Sequence, residues 1–342
     1  MSEKAFLKAG NSIFSPDNSI SYIKAGPRLH TALDPKSTVI AIITSGGLCP
    51  GLNVVIRELV MSSWYNYGVR NIYGIKWGYE GILNDEDWLE LTPEKVRDIH
   101  REGGTILGTC RCEFNAKGIA DNLIKNGVNV FFSIGGDGTH RGLQALAKEL
   151  ESRNVKITLC GIPKTIDNDI PLIDRSFGFD TAIQEAVKVI QVGNVECNSI
   201  KNGIGLVRVF GRSCGFIAIE ASKASRDVNI CLIPESPFCL YGEKGLLKFL
   251  FNRIAVKNHC LIVLAEGSAS AVQDLKISDT GLMDKSGNPI LPDIGDILKK
   301  EINEYAKDNK VDVVLKYLDP TYSIRGVASN SFDINYCAYL FF

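Results

Sequence analysis

An excess of charge of either sign is the first thing this chain lacks: 38 Lys and Arg stand against 39 Asp and Glu in 342 residues. A balanced surface carries no electrostatic footprint for nucleic acid or an anionic membrane, so neither is expected as a partner. Any anionic ligand must then be held by local groups. No window is apolar over the length of a bilayer span, and the opening Met-Ser-Glu-Lys-Ala-Phe-Leu-Lys lacks a signal-peptide core. The 10 cysteines form no C-x-x-C pair and have no histidine at metal-ligand spacing, which argues against zinc patterns and a disulfide framework. They read as reduced thiols of a cytoplasmic protein. Also missing are a fixed-period repeat and a G-x-G-x-x-G turn with a following ribose-binding acid, the mark of a dinucleotide fold.

What the chain does have is length, with 45% hydrophobic residues, enough for two α/β domains or one large one. Residues 1–36 mix Ser, Asn and Pro with single apolar residues and read as an extension that drapes over a domain. From residue 39 an unbroken β-branched run predicts a strand buried on both faces, followed by Thr44-Ser45-Gly46-Gly47-Leu48-Cys49-Pro50-Gly51 and a helix over 54–65. Strand, glycine turn and helix start make an anion site, although packing alone also selects glycine there. The unit recurs. Residues 128–134 run into Gly135-Gly136-Asp137-Gly138-Thr139 before a helix over 141–150. Residues 156–160 run into Pro163-Lys164-Thr165-Ile166-Asp167-Asn168-Asp169, and 205–209 into Phe210-Gly211-Arg212-Ser213-Cys214-Gly215. Residues 229–233, 259–264 and 311–315 behave alike, and the stretch 273–293 reads as a long loop. Polar motifs beyond strand ends converge on common clefts in open parallel sheets, so a doubly wound α/β fold is expected, in two Rossmann-like lobes hinged near residues 177–180.

The acids of the 163–169 stretch carry the candidate chemistry. Alternating carboxylates at a strand mouth can hold a divalent cation with one group and accept a proton with another, as phosphoryl transfer requires. A tight turn with exposed acids has the same composition. Asp137 stands between glycines where a carboxylate faces a phosphate-bound cation. Arg111 follows a glycine-rich loop, and Arg212 has glycine neighbours that leave its guanidinium room to reach a ligand. Glu266 before Gly267 suits either a sugar hydroxyl or a helix cap, and Lys316, Tyr322 and Arg325 form a possible second phosphate cluster.

Taken in order, Gly46-Gly47 with Pro50-Gly51-Leu52-Asn53, Gly135 to Thr139, Pro163 to Asp169, Phe210-Gly211-Arg212, Ala265-Glu266-Gly267 and Tyr322 to Arg325 resemble the signature of 6-phosphofructokinases. The resemblance covers roughly residues 20–340 and is nearest to the plant and protist ATP-dependent branch, itself related to pyrophosphate-dependent enzymes. It implies transfer of the ATP γ-phosphoryl group to the 1-hydroxyl of fructose 6-phosphate with Mg²⁺, in a homo-oligomer. Asp167 would accept the hydroxyl proton, Thr165 and Asp169 would support it, and Asp137 would position Mg²⁺. Gly46, Gly47, Arg111, Cys112, Gly136, Gly138 and Thr139 would line the ATP side. Phe210, Gly211, Arg212, Glu266, Tyr322 and Arg325 would hold the sugar phosphate, with Lys316 as a further phosphate partner. Arg212 would also neutralise charge on the transferring group. The lobes implied are 37–179 for nucleotide, with 324–342 returning to it, and 180–323 for the sugar phosphate.

Donor choice turns on two positions. Pyrophosphate users carry Asp where this chain has Gly138, which favours ATP; Lys164, beside the catalytic loop, is shared with pyrophosphate users and keeps that donor as the alternative. Phe210 stands where Met is usual, and Gly203 where short bacterial enzymes place an arginine that reaches a neighbouring subunit. The family continues beyond Asp333-Ile334-Asn335-Tyr336-Cys337 through a longer helix and a further strand, whereas this sequence stops at Leu340-Phe341-Phe342. A truncated C-terminus is therefore expected, and with it an impaired or regulatory chain as a competing function. NAD and lipid kinases share the Gly-Gly-Asp-Gly-Thr turn but have no need of the Tyr322 to Arg325 cluster.

Overall fold

The computed structural model describes residues 4–6, 21–23, 32–110, 114–171, 173–276, 281–283 and 290–341. Strands β1 (Lys4–Phe6) and β2 (Ser21–Ile23) pair antiparallel within the N-terminal extension. A five-stranded sheet follows, made of β3 (Val39–Thr44), β4 (Asn71–Ile75), β5 (Trp88–Glu90), β6 (Val130–Gly135) and β7 (Thr158–Pro163) in the order β5-β4-β3-β6-β7. All its pairings are parallel except β4 with β5. A second, all-parallel sheet contains β8 (Gly203–Val209), β9 (Ile230–Leu232), β10 (His259–Ala265) and β11 (Val314–Leu318) in the order β11-β8-β10-β9.

Helices connect these strands. The first sheet is served by α1 (Leu52–Tyr65), α2 (Gly78–Gly81), α3 (Pro93–Val96), α4 (Ala116–Lys125) and α5 (Asp137–Ser152). The long α6 (Phe179–Asn198) crosses to the second sheet, where α7 (Phe216–Ser225), α8 (Leu246–Lys257) and α9 (Ile294–Asp308) follow. Two more, α10 (Thr321–Arg325) and α11 (Ser331–Phe341), complete the described chain. Among the described residues no helix is long and apolar enough to cross a membrane.

The central strands are apolar without alternation because both of their faces are covered. In β3, Ile40 and Ile42 enter one core cluster while Ala41 and Ile43 enter the cluster on the opposite face. In β10, Cys260, Ile262 and Leu264 face one side and Leu261, Val263 and Ala265 the other. Each such side chain, when large and fully buried, is worth about 1.5–3 kcal/mol of transfer free energy, so these strands anchor the turns at their carboxyl ends.

Several boundaries differ from expectation. Helix α5 begins at Asp137 rather than at 141, so Asp137, Gly138 and Thr139 form its first turn instead of a preceding loop. Strand β7 runs on through Pro163, which only an edge strand tolerates because proline donates no ladder hydrogen bond. β11 lies three residues later than the run 311–315, and Lys316 is inside it. The stretch 273–293 is partly outside the described residues, and Asp293 caps α9 by accepting from Gly295 N at 2.9 Å. At Gly203, a methyl group would sit 2.1 Å from the Cys197 carbonyl oxygen, so the β8 start has no room for the arginine of short bacterial enzymes.

Helices α1 and α6 start at left-handed glycines, Gly51 (φ 100°) and Gly178 (φ 88°). A methyl on Gly178 would meet Cys49 Sγ at 2.5 Å and the Pro50 carbonyl at 2.6 Å. The two helix starts are thus pressed together, and α11 closes over them. Its Cys337 packs into the α1 core, and buried Asp333 accepts hydrogen bonds from Thr181 N (2.8 Å) and Thr181 Oγ1 (2.5 Å) at the head of α6.

Candidate active site

The chain runs outward from β3 to β4 and β5 and then returns to β6 on the other side of β3, which puts the turns after β3 and β6 at the switch point of the first sheet, where ligands bind in doubly wound folds. After β6, Gly136 is extended and α5 starts at once, so the backbone N–H groups of its first turn have no intrahelical partner and face the cleft as an anion cradle. The turn is braced from below: Tyr79 Oη donates to the Thr139 carbonyl at 2.8 Å and lies 3.1 Å from Ser133 Oγ. Burial pushes the Tyr79 phenol up to about 12. Lys164, just beyond β7, reaches the turn after β3, where a methyl on Gly46 would lie 3.9 Å from its Nζ. Its backbone N is tied to the Gly135 carbonyl at 3.0 Å.

Across from this cradle stands Asp167, 9% exposed. Thr165 spaces the two acids: its Oγ1 accepts from Asp167 N at 3.1 Å and donates to Asp169 Oδ1 at 2.9 Å. Asn168 between them adopts φ 59° and binds the loop to itself, accepting from Ser176 N at 2.7 Å and donating to the Asp174 carbonyl at 3.4 Å. Asp167 Oδ2 accepts from Arg212 N at 3.3 Å, while its buried Oδ1 has no hydrogen-bond partner among the described residues. Burial, with help from the Asp169 and Glu266 carboxylates and against the pull of Arg212, pushes the Asp167 carboxyl up to about 7.

Arg212 is held by backbone contacts. Gly211 (φ 130°) accepts from Gly267 N at 3.0 Å, and a methyl on Gly267 would fall 1.9 Å from the Arg212 carbonyl oxygen. Gly267→Ala must therefore displace the Arg212 loop or the start of the short helix Glu266–Ala271. We expect it to lower stability by roughly 2 kcal/mol or more, which thermal unfolding will check; a variant as stable as wild type refutes the close approach.

A cavity of about 600 Å³ joins these groups and is lined by Gly46, Gly47, Gly136 to Thr139, Lys164, Thr165, Asp167, Asp169 and Arg212. Tyr79, Phe114, His140 and Arg141 line it too, and none was singled out in the sequence. Tyr79 lies in a Gly-Tyr-Glu-Gly stretch whose turn composition gave no sign of a buried hydroxyl. Among the described residues, the remaining candidates do not line this cavity. Glu266 is at the end of β10, its carboxyl raised by burial and drawn back by Arg208 and Arg212. Phe210 packs against the core between α6 and the second sheet. Lys316 pairs with Glu196 at 3.8 Å, and Tyr322 is 77% exposed with the Arg325 guanidinium 4.7 Å over its ring. Arg111 and Cys112 lie outside the described residues.

Two largely parallel sheets, an anion cradle at the switch point and a buried acid facing it define an α/β protein suited to a phosphorylated ligand. The chain belongs to the phosphofructokinase family, which matches it over residues 39–340. It is 48% identical over 323 residues to the ATP-dependent 6-phosphofructokinase 7 of Arabidopsis thaliana, a match covering 94% of this chain and 66% of that protein. To the ATP-dependent 6-phosphofructokinase of Borreliella burgdorferi it is 45% identical, over 93% of this chain and 72% of the relative. The solved phosphofructokinase of Saccharomyces cerevisiae superposes with a TM-score of 0.69 at 26% identity, over 89% of this chain and 40% of the yeast chain. The chain thus spans about two thirds of the curated relatives it matches.

Proposed function

We propose that the chain transfers the γ-phosphoryl group of ATP to the 1-hydroxyl of fructose 6-phosphate, giving fructose 1,6-bisphosphate, with Asp167 as the general base. One observation carries the proposal: a buried carboxylate with an unpartnered oxygen and a proton affinity near neutrality faces a helix-start anion cradle across a single cavity. A base is most effective when its pKa lies near the working pH, and it needs a partner only when the hydroxyl arrives. Arg212, tied through its backbone to the same carboxylate, is placed to balance charge on the transferring group.

Mg²⁺ fits the residues present. Among the described residues no group of three or more acids, cysteines or histidines could hold a metal by itself. Mg²⁺ characteristically uses one or two carboxylates and completes its shell with substrate phosphate oxygens and water. Asp137, on the cavity wall in the first turn of α5, supplies that carboxylate. The bound ion would neutralise phosphate charge; Asp137 would hold it, the α5 amides would orient the phosphates, and Asp167 would take the proton.

Lys164 beside Gly46 keeps pyrophosphate as the alternative donor, because an ammonium there suits a terminal phosphate of either molecule. The absence of a side chain at Gly138 leaves space for a nucleotide, and ATP is the donor we expect. A coupled assay of fructose 6-phosphate with Mg²⁺ and either ATP or pyrophosphate decides. Turnover with pyrophosphate alone reverses the donor, and turnover with neither leaves a regulatory chain as the better description.

A further inference from the structure

We propose that Arg208 is a positioning residue for the sugar-phosphate end of the site, setting α10, which carries Tyr322 and Arg325, in register with Glu266. The proposal rests on the function proposed above for the choice of ligand, and on geometry for the placement. Arg208 is the one charged residue of β8, two positions before the Phe210-Gly211-Arg212 motif. It follows Ile204 and Leu206 along the face of β8 that looks into the second-sheet core. A charge at the end of an apolar face is retained at a desolvation cost and needs partners.

Those partners come from separate parts of the chain. Arg208 Nη2 donates to Asp319 Oδ2 at 2.6 Å, and Nη1 lies 3.4 Å from Asp293 Oδ2. Asp319 uses its other oxygen to accept from Thr321 N at 3.0 Å and from the Thr321 hydroxyl, which fixes the first turn of α10. Asp293 caps α9 and accepts from Tyr317 Oη of β11 at 3.1 Å. Glu266, at the end of the neighbouring strand β10, responds to Arg208 ahead of any other charge. One guanidinium therefore ties the end of β8 to the residue after β11 and to the starts of α9 and α10.

Without it, Asp293, Asp319 and Glu266 would face one another with their shared cation gone. Like charges at short range repel, and the five-residue α10 would keep its packing through buried Ile324 while Asp319 at its start lost its anchor to β8. Tyr322 and Arg325 would lose their fixed relation to Glu266, while the anion cradle at Asp137 and the Asp167 loop belong to other strands and would be untouched.

The test uses Arg208→Gln and Arg208→Lys in the full chain, read by steady-state kinetics and by amide hydrogen exchange. For Arg208→Gln we expect the KM for fructose 6-phosphate to rise about tenfold with kcat and the KM for ATP within about twofold, and amides of residues 321–326 to exchange about tenfold faster. Arg208→Lys, which keeps the charge, should recover part of both. Unchanged exchange and an unchanged sugar-phosphate KM in Arg208→Gln overturn the proposal, as does an equal loss in every kinetic constant. Should Arg208→Gln fail to fold, Asp319→Asn removes the same tie and must show the same exchange. If wild type phosphorylates no fructose 6-phosphate, the functional proposal fails, yet the exchange comparison still decides the positioning role.

Discussion

Replacing Asp167 by serine should cut kcat by roughly 10²–10⁴ while the KM for fructose 6-phosphate stays within about threefold. The carboxylate stands at the cavity wall with Oδ1 unpartnered, so its removal deletes the proton acceptor and leaves the Arg212 loop tied through Gly211 and Gly267. The pH dependence gives a second reading of the same group. Burial raises its pKa from 3.8 to about 7, and only the ionised form accepts a proton. Wild-type kcat/KM should therefore climb as pH rises through about 7 and then level, whereas the serine variant should lack that limb.

Stability runs the other way. Below the unfolded value of 3.8 the group is protonated in folded and unfolded chains alike. Between that value and about 7 the folded chain keeps a proton that the unfolded chain has released, so the contribution to stability is lost as pH rises through the window. At pH above that window wild type carries a buried charge that Asp167→Ser does not, and the variant should unfold at a temperature no lower than wild type. Near-normal turnover in Asp167→Ser removes Asp167 as the base.

The second large effect is structural. Asp333→Ala should destabilise the fold by about 3 kcal/mol, read as a lower unfolding midpoint. Asp333 is 1% exposed and accepts both Thr181 N and Thr181 Oγ1. Gly178, the residue that starts α6, has no side chain to cap with, so the acceptor comes from α11 instead. Alanine would strand a buried amide, and a negative charge beside a helix start would go with it. Asp333→Asn keeps one acceptor and should cost less. A loss under about 1 kcal/mol in the alanine variant would mean that packing of α11 on α1, not this bond, holds the junction.

Strands with both faces covered were legible because burial leaves no polar position to interrupt them: the runs at 39–43 and 259–264 sit within β3 and β10. Glycine-rich turns after those strands were legible for the same reason, since they are the only interruptions. The start of α5 was not, because Gly138 and Thr139 are poor helix formers and only the tertiary setting makes them a first turn. Pro163 masked the end of β7, an edge strand where its missing N–H costs nothing. Tyr79 and Arg208 escaped notice because their partners, Thr139 and Asp319, are distant in sequence. The antiparallel β5, at three residues, is too short to show a period.

The tie between Thr181 and Asp333 spans 152 residues. Closing a loop of that length costs about 4 kcal/mol of chain entropy, and the whole second sheet lies within it. A folded second sheet shortens the flexible span that the tie between α6 and α11 has to close. Asp167 gains its raised proton affinity where the turn after β8 brings Arg212 N to 3.3 Å and Cys214 Sγ to 3.5 Å from it, so its chemistry waits on a strand of the other sheet.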